Sequence, residues 1–266
     1  MRLTAAASSA LRPVLAGPAQ PARWLGATRA ALYLETAGLP GVLAVLAHDA
    51  TRLPCGLVLP STSQELPLTS LAPGRCRCLV GDGKVAWTGP GGPVEVRVVR
   101  EWAPGRAAAA IAGGAALAHV RAALPPPAAT GVDPRLIAQL RDVADSTAVV
   151  VRLIGRGPGL TPSGDDVLAG FLVGARVFGL HVPGILGAVG RLAAARTTAL
   201  SAGLLWHAAQ GQCIDELAAL AAALTGSGAT DLAVRRLLAV GHMSGAALAH
   251  GLVVAAERAL GCRTAA

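Results

Sequence analysis

The hydrophobic pattern of this chain changes once, at Trp102-Ala103-Pro104-Gly105, and the change restricts it to architectures with strands first and helices after. Before that point Ala31 to Leu34, Val42 to Ala47, Leu57 to Leu59 and Val94 to Val99 are short apolar segments separated by Gly, Pro and Ser clusters. Val94-Glu95-Val96-Arg97-Val98 alternates with the period of a half-buried strand, and Gly81-Asp82-Gly83-Lys84 has the chemistry of a tight turn between strands. Beyond it, alanine-leucine runs predict helices over Arg106 to Leu124, Pro134 to Ala144, Asp166 to Leu180, Ile185 to Gln210, Ile214 to Leu224, Asp231 to Val240 and Ser244 to Leu260. Leu124-Pro125-Pro126-Pro127 is a stiff connector that no helix can cross. The expectation is an α+β chain: a small β-rich N-terminal domain, residues 1–104, followed by a mainly α-helical C-terminal domain, residues 105–266. Alternating strand-helix units are missing, which disfavours a dinucleotide-binding fold.

With 266 residues the chain can bury a real core. Its hydrophobic share of 53% raises the question of a membrane, but Arg106, His119 and Arg121 flank one apolar run and Arg176, His181 and Pro183 break the next. No stretch reaches the length of about 20 apolar residues that spans a bilayer. Met1 to Gln20 has the arginines, serines and alanines of a targeting peptide, yet Arg12 interrupts its would-be apolar region, so it reads as a retained, poorly ordered segment. The net charge of +8 is spread over arginines with Lys84 the sole lysine, and aromatics make up only 3%, which leaves nucleic acid few stacking platforms. A distributed positive field suits small anionic substrates instead. Five cysteines, Cys76 and Cys78 the one close pair, give no zinc spacing and suit reduced thiols in a cytoplasmic protein. His207 follows Trp206 on an apolar helix and reads as a core residue; His242 is the one histidine inside a motif.

Three motifs carry chemistry, all after the boundary. Gly157-Pro158-Gly159-Leu160-Thr161-Pro162-Ser163-Gly164-Asp165-Asp166 follows the apolar run Ala148 to Ile154, read as a strand, and opens a helix. A glycine-rich turn into a helix start offers backbone amides to an anion. Asp165 and Asp166 occupy the positions where a nucleotide-binding phosphate loop needs a lysine and a hydroxyl residue, so triphosphate hydrolysis is disfavoured. Ser163 reads as the helix cap with Asp166 closing an acidic capping box. The segment from Ser244 to Leu252 echoes this one, with Ser163, Gly164 and Gly170 falling on Ser244, Gly245 and Gly251; two such helix starts converging would make a pocket lined by amides. Arg196-Thr197-Thr198-Ala199-Leu200-Ser201, within the run Leu192 to Gln210, offers a guanidinium fork and hydroxyls suited to a carboxylate or phosphate.

In this order and spacing, Gly159 to Asp166, Arg196-Thr197-Thr198 with Ser201, and Gly241-His242-Met243-Ser244-Gly245 resemble the signature of the AllH-type family, named for a subunit of oxamate carbamoyltransferase. The likeness covers most of the chain and is strongest from Val150 to Leu252. Where relatives carry an acid after the second Ser-Gly pair, this chain has Ala246 and Ala247. The resemblance implies a cytoplasmic transferase subunit of purine and allantoin nitrogen catabolism, moving a carbamoyl group between carbamoyl phosphate and an oxamate-type acid, in a hetero-oligomer with other carbamoyltransferase subunits. The expected substrate-binding residues are Gly159, Thr161, Ser163, Gly164, Arg196, Thr197, Thr198, Ser201, Ser244 and Gly245, and the expected catalytic residues are Asp165, Asp166 and His242. Two other classes remain open: a non-catalytic anion-binding scaffold or regulatory subunit, and a separate hydrolase or transferase using the acidic pair with magnesium, whose hard charge favours oxygen ligands.

Overall fold

The structure is a computed structural model and describes every residue except 39, 75–76, 142–145 and 265–266, together with the side chains of 146 and 263–264. Cys76 therefore lies outside the described residues, as do positions 142–144 of the helix expected over Pro134 to Ala144, which already ends at Gln139. Contacts divide the chain into two units, Met1–Pro104 and Gly105–Ala266.

The first unit corrects the expectation of a merely small β-rich front to an α+β chain: its strands close into an eight-stranded barrel. The strands are β1 (Arg2–Ser8), β2 (Gln20–Ala27), β3 (Ala31–Glu35), β4 (Val42–Leu46), β5 (Gly56–Val58), β6 (Cys78–Gly81), β7 (Lys84–Gly89) and β8 (Gly92–Trp102), with a short helix α1 (Arg12–Leu15) after β1. Around the barrel they run β1-β5-β4-β3-β2-β6-β7-β8, and β8 returns to pair with β1 in parallel. Closure leaves no unpaired edge. The segment Met1 to Gln20, read as retained but poorly ordered, instead holds β1, an ordered barrel strand, and α1. In β8, Val94 and Val96 point to the core while Glu95 stays outside, where it accepts hydrogen bonds from Lys84 at 3.3 Å and Arg97 at 3.2 Å. Asp82 and Gly83 both take positive φ, 51° and 70°, between the paired residues Gly81 and Lys84; this is the two-residue turn whose twist matches a hairpin.

The second unit is helical: α2 (Gly114–Ala123), α3 (Pro134–Gln139), α4 (Ser146–Leu153), α5 (Ser163–Val177), α6 (Pro183–Arg196), α7 (Ala199–Ala209), α8 (Asp215–Leu224), α9 (Thr230–Leu238) and α10 (Ser244–Thr264). Every residue of α5 except Arg176 is buried, the mark of a helix at the centre of its unit. Three segments differ from expectation by more than a few residues at one end. The run Ala148 to Ile154 is helical, not a strand: Val149, Val150, Leu153 and Ile154 are buried while Val151 and Arg152 face out, a 3.6-residue period compressed into a short apolar run. Helix α2 starts at Gly114 rather than at Arg106, because Ala110 and Gly113 donate their amides to the carbonyls of Val177 and Leu224 instead of to a helix. The run Ile185 to Gln210 is two helices, broken at Thr197, whose backbone is extended. Among the described residues no helix is long and apolar enough to cross a membrane.

Candidate functional site

The starts of α5 and α10 come together, and the reason lies in their glycines. A Cβ on Gly170 would fall 2.0 Å from the Leu248 carbonyl oxygen, and one on Gly251 would fall 2.0 Å from that of Val167. The offset that carries Gly170 onto Gly251 also carries Val167 onto Leu248, so the two contacts are the same contact made twice, about a pseudo-two-fold relation. It carries Gly174 onto Ala255 as well, and a Cβ on Gly174 would lie 2.5 Å from the Ala255 methyl. The two helices therefore run side by side in the same direction. At their N-terminal ends the hydroxyls of Thr161 and Ser244 lie 3.2 Å apart.

The Ser-Gly pairs do less for a ligand than their sequence suggests. Gly164 packs against the end of α4, where a Cβ would be 2.0 Å from the Leu153 carbonyl, and Gly245 packs in the same way against Leu237 of α9 at 1.9 Å. Their amides donate to the carbonyls of Arg156 at 2.9 Å and Val240 at 3.0 Å. The amides of Asp165 and Asp166 both donate to the Pro162 carbonyl. Ser163 is buried as the first helical residue; Pro162 occupies the cap position, and no side chain caps α5. The capping box expected between Ser163 and Asp166 is not formed, because the helix begins one residue earlier than that motif requires.

The two acids differ sharply although adjacent. Asp165, 1% exposed, is fully engaged: Oδ1 accepts the Gly155 amide at 2.7 Å, and Oδ2 accepts the hydroxyls of Ser201 at 2.8 Å and of Thr197. Burial raises its carboxyl above the ordinary range, against the pull of Thr197, Gly155 and Ser201. It ties the turn after α4 to the α6–α7 break. Asp166, 7% exposed, has a buried Oδ2 with no hydrogen-bond partner. Burial pushes its carboxyl up to about 7; nearby Ser244 opposes that, Asp165 adds to it, and Thr161 opposes it more weakly.

The RTT motif serves the same framework. Thr198 caps α7 by accepting the Ser201 amide at 3.0 Å, and its hydroxyl donates to the Leu160 carbonyl at 2.6 Å, anchoring the glycine loop. Arg196, the last residue of α6, is exposed, as are Gly159 and His242. Thus Thr161, Asp166 and Ser244 are brought together, Thr197 and Ser201 sit behind Asp165, and Gly164 and Gly245 lie in helix contacts. Sequence reasoning missed Gly155, which supplies an amide to Asp165. Its φ of 71° directly after an apolar run is a helix-stop signal, and it would also have shown the run to be helical.

Residues 153–256 match the model of the AllH family, described as oxamate carbamoyltransferase subunit AllH. This part of the chain is similar to that family. The match takes in the glycine loop, the RTT motif and the second Ser-Gly pair and leaves out the whole barrel, so the family likeness is narrower than the sequence reading had it. No solved structure matches the chain. Among the described residues no group of three or more His, Cys, Asp or Glu side chains is placed to hold a metal ion, and both oxygens of Asp165 are taken by protein donors.

Proposed function

We propose that this AllH-type chain is a subunit of an oxamate carbamoyltransferase-like assembly in the cytoplasm, and that the converging starts of α5 and α10 form its substrate site. The observation that carries the reading is the buried carboxyl of Asp166, whose Oδ2 has no hydrogen-bond partner, beside the hydroxyls of Thr161 and Ser244 and inside the family-matched segment. A carboxyl with a pKa near neutrality is suited to proton transfer at working pH. In carbamoyl transfer the amide nitrogen of an oxamate-type acid attacks the carbamoyl carbon. The C–N bond forms, the C–O bond to phosphate breaks, and the nitrogen's proton goes to the Asp166 carboxylate. Thr161 and Ser244 orient the reacting groups, Arg196 grips the planar acid, and His242 sits where it can exchange protons with solvent. Gly159 gives the loop its close approach, and Ser163 with Gly164 and Gly245 shapes the helix starts. Asp165, through Thr197, Ser201 and Gly155, is a positioning residue that holds the loop in place.

A second reading, an anion-binding scaffold subunit, is favoured by Ala246 and Ala247, the alanines that stand in α10 where α5 has its acids. The test is carbamoyl transfer by the chain reconstituted with its partner subunits. Asp166→Asn should lower kcat by about a hundredfold or more, the range for a general base. Unchanged transfer by that variant would favour the scaffold, and no transfer by the intact assembly would overturn the function.

A further inference from the structure

The barrel lies outside the family match and has a pocket of its own. Its wall is irregular where β1 meets β8: the register slips between Ala5 and Ala6, so that Ala5 pairs with Val98 and Ala6 with Arg100, and Val99 is left out of the pairing. A bulge of this kind bends the strand and re-aims the side chains around it. Beside it is a cavity of about 520 Å³, within the size range of small-molecule sites. Val58, Leu59, Pro60 and Trp102 give it an apolar lining, and the Trp102 indole is held in place by donating to the Ala6 carbonyl at 3.2 Å.

The charges around this cavity are unbalanced. Arg52, Arg100 and His48 line it, and the one lining acid, Glu101, is taken at both oxygens by Nε and Nη2 of Arg12. Asp49, next to His48, accepts the Ser63 amide and hydroxyl at 2.7 Å each and so is also occupied. Neither Arg52 nor Arg100 has an ion-pair partner among the described residues. Two unopposed guanidinium forks and an anchored aromatic ring lining one cavity match the chemistry of an organic oxyanion with a flat or apolar body.

We propose that this cavity is a second ligand site, for a small organic anion whose carboxylate or phosphate is held by Arg52 and Arg100 while its body rests on Trp102. It is independent of the helical site and of the function assigned there. The test titrates the full chain with phenyl phosphate, benzoate and inorganic phosphate, reading tryptophan fluorescence and, in parallel, heat by calorimetry. Saturable binding of phenyl phosphate or benzoate is expected below about 1 mM, and the tighter of the two identifies the head group. Arg52→Gln with Arg100→Gln should weaken it at least about tenfold, the loss expected for a charge-assisted contact. Both arginines are exposed, so the double variant should fold. Trp102→Phe should remove the fluorescence response while heat of binding persists, and Asp166→Asn should change neither. No saturable binding of either organic probe, binding indifferent to the two arginines, or inorganic phosphate bound as tightly as phenyl phosphate would each overturn the site.

Discussion

Helices α5 and α10 begin with the same Ser-Gly pair and meet through equivalent glycines, yet one start carries two buried carboxyls and the other two alanines. What the copies share is what packing demands. Close backbone approach needs a missing side chain at Gly170 and Gly251, where α5 and α10 meet, and at Gly164 and Gly245, where they pack on the end of α4 and on α9. What they do not share is costly to bury. A carboxylate taken from water loses solvation that only well-placed donors can restore, and Asp165 has three such donors while Asp166 Oδ2 has none. The repeat is therefore a packing scaffold, and the asymmetry at its start is where the proposed chemistry lies.

The largest effect should come from breaking the shared part. Gly170→Val and Gly251→Val each push a branched side chain into a carbonyl of the opposite helix, at positions where even a Cβ falls 2.0 Å away. Each should cost well over about 4 kcal/mol, the range of severe core strain. Guanidinium chloride melts of the full chain should show the two losses alike. Tolerance of one and not the other would break the equivalence of the helices.

The unshared part predicts a pH effect of known sign. Asp166 has a folded value of about 7 against an ordinary 3.8, so the folded chain holds a proton that the unfolded chain releases between those values. Its contribution to stability is intact below about pH 4 and is lost as pH rises through about 7; Asp165, also raised, adds in the same sense. Asp166→Asn removes that loss. Relative to the parent, the variant should gain at most about 4 kcal/mol between pH 4 and pH 8, from a shift of this size. Melts at the two pH values measure it, and a gain equal at both would show that Asp166 does not titrate in this window.

The strands that could be read from sequence were those rich in valine and leucine. β3, β4 and the middle of β8 alternate or run apolar enough to declare themselves. β1, Arg2-Leu3-Thr4-Ala5-Ala6-Ala7-Ser8, is poor in strand-forming side chains, and β2 contains Pro21 and a register slip between Trp24 and Gly26. Barrel closure depends on pairing β1 with β8, a contact between the two ends of the unit that no local pattern encodes. In the helical unit the convergence of two helix starts was visible as the echo of Ser163-Gly164 in Ser244-Gly245. The work of those glycines was not, because an amide free for a ligand and an amide bonded to a neighbouring carbonyl look the same in sequence. The roles of Asp165 and Asp166 were equally hidden: the donors that separate them, Gly155, Thr197 and Ser201, come from three different places in the chain.

The two serines that open these helices give the finest test of the comparison. Ser163 stands buried inside the first turn of α5 without capping it, so Ser163→Ala should cost less than the roughly 1 kcal/mol that a true cap contributes. Ser244 occupies the equivalent place in α10, but its hydroxyl faces Thr161 and favours the charged form of Asp166. Ser244→Ala should therefore leave stability at low pH nearly unchanged and lower it at pH 8, because ionised Asp166 loses a neighbour that neutral Asp166 does not need. A carbon-labelled aspartate titration followed by NMR reads the same difference directly: the Asp166 midpoint should move upward in Ser244→Ala and stay in place in Ser163→Ala. Equal midpoints in the two variants would mean that the second helix start contributes nothing to the carboxyl, leaving the echo of the first as packing alone.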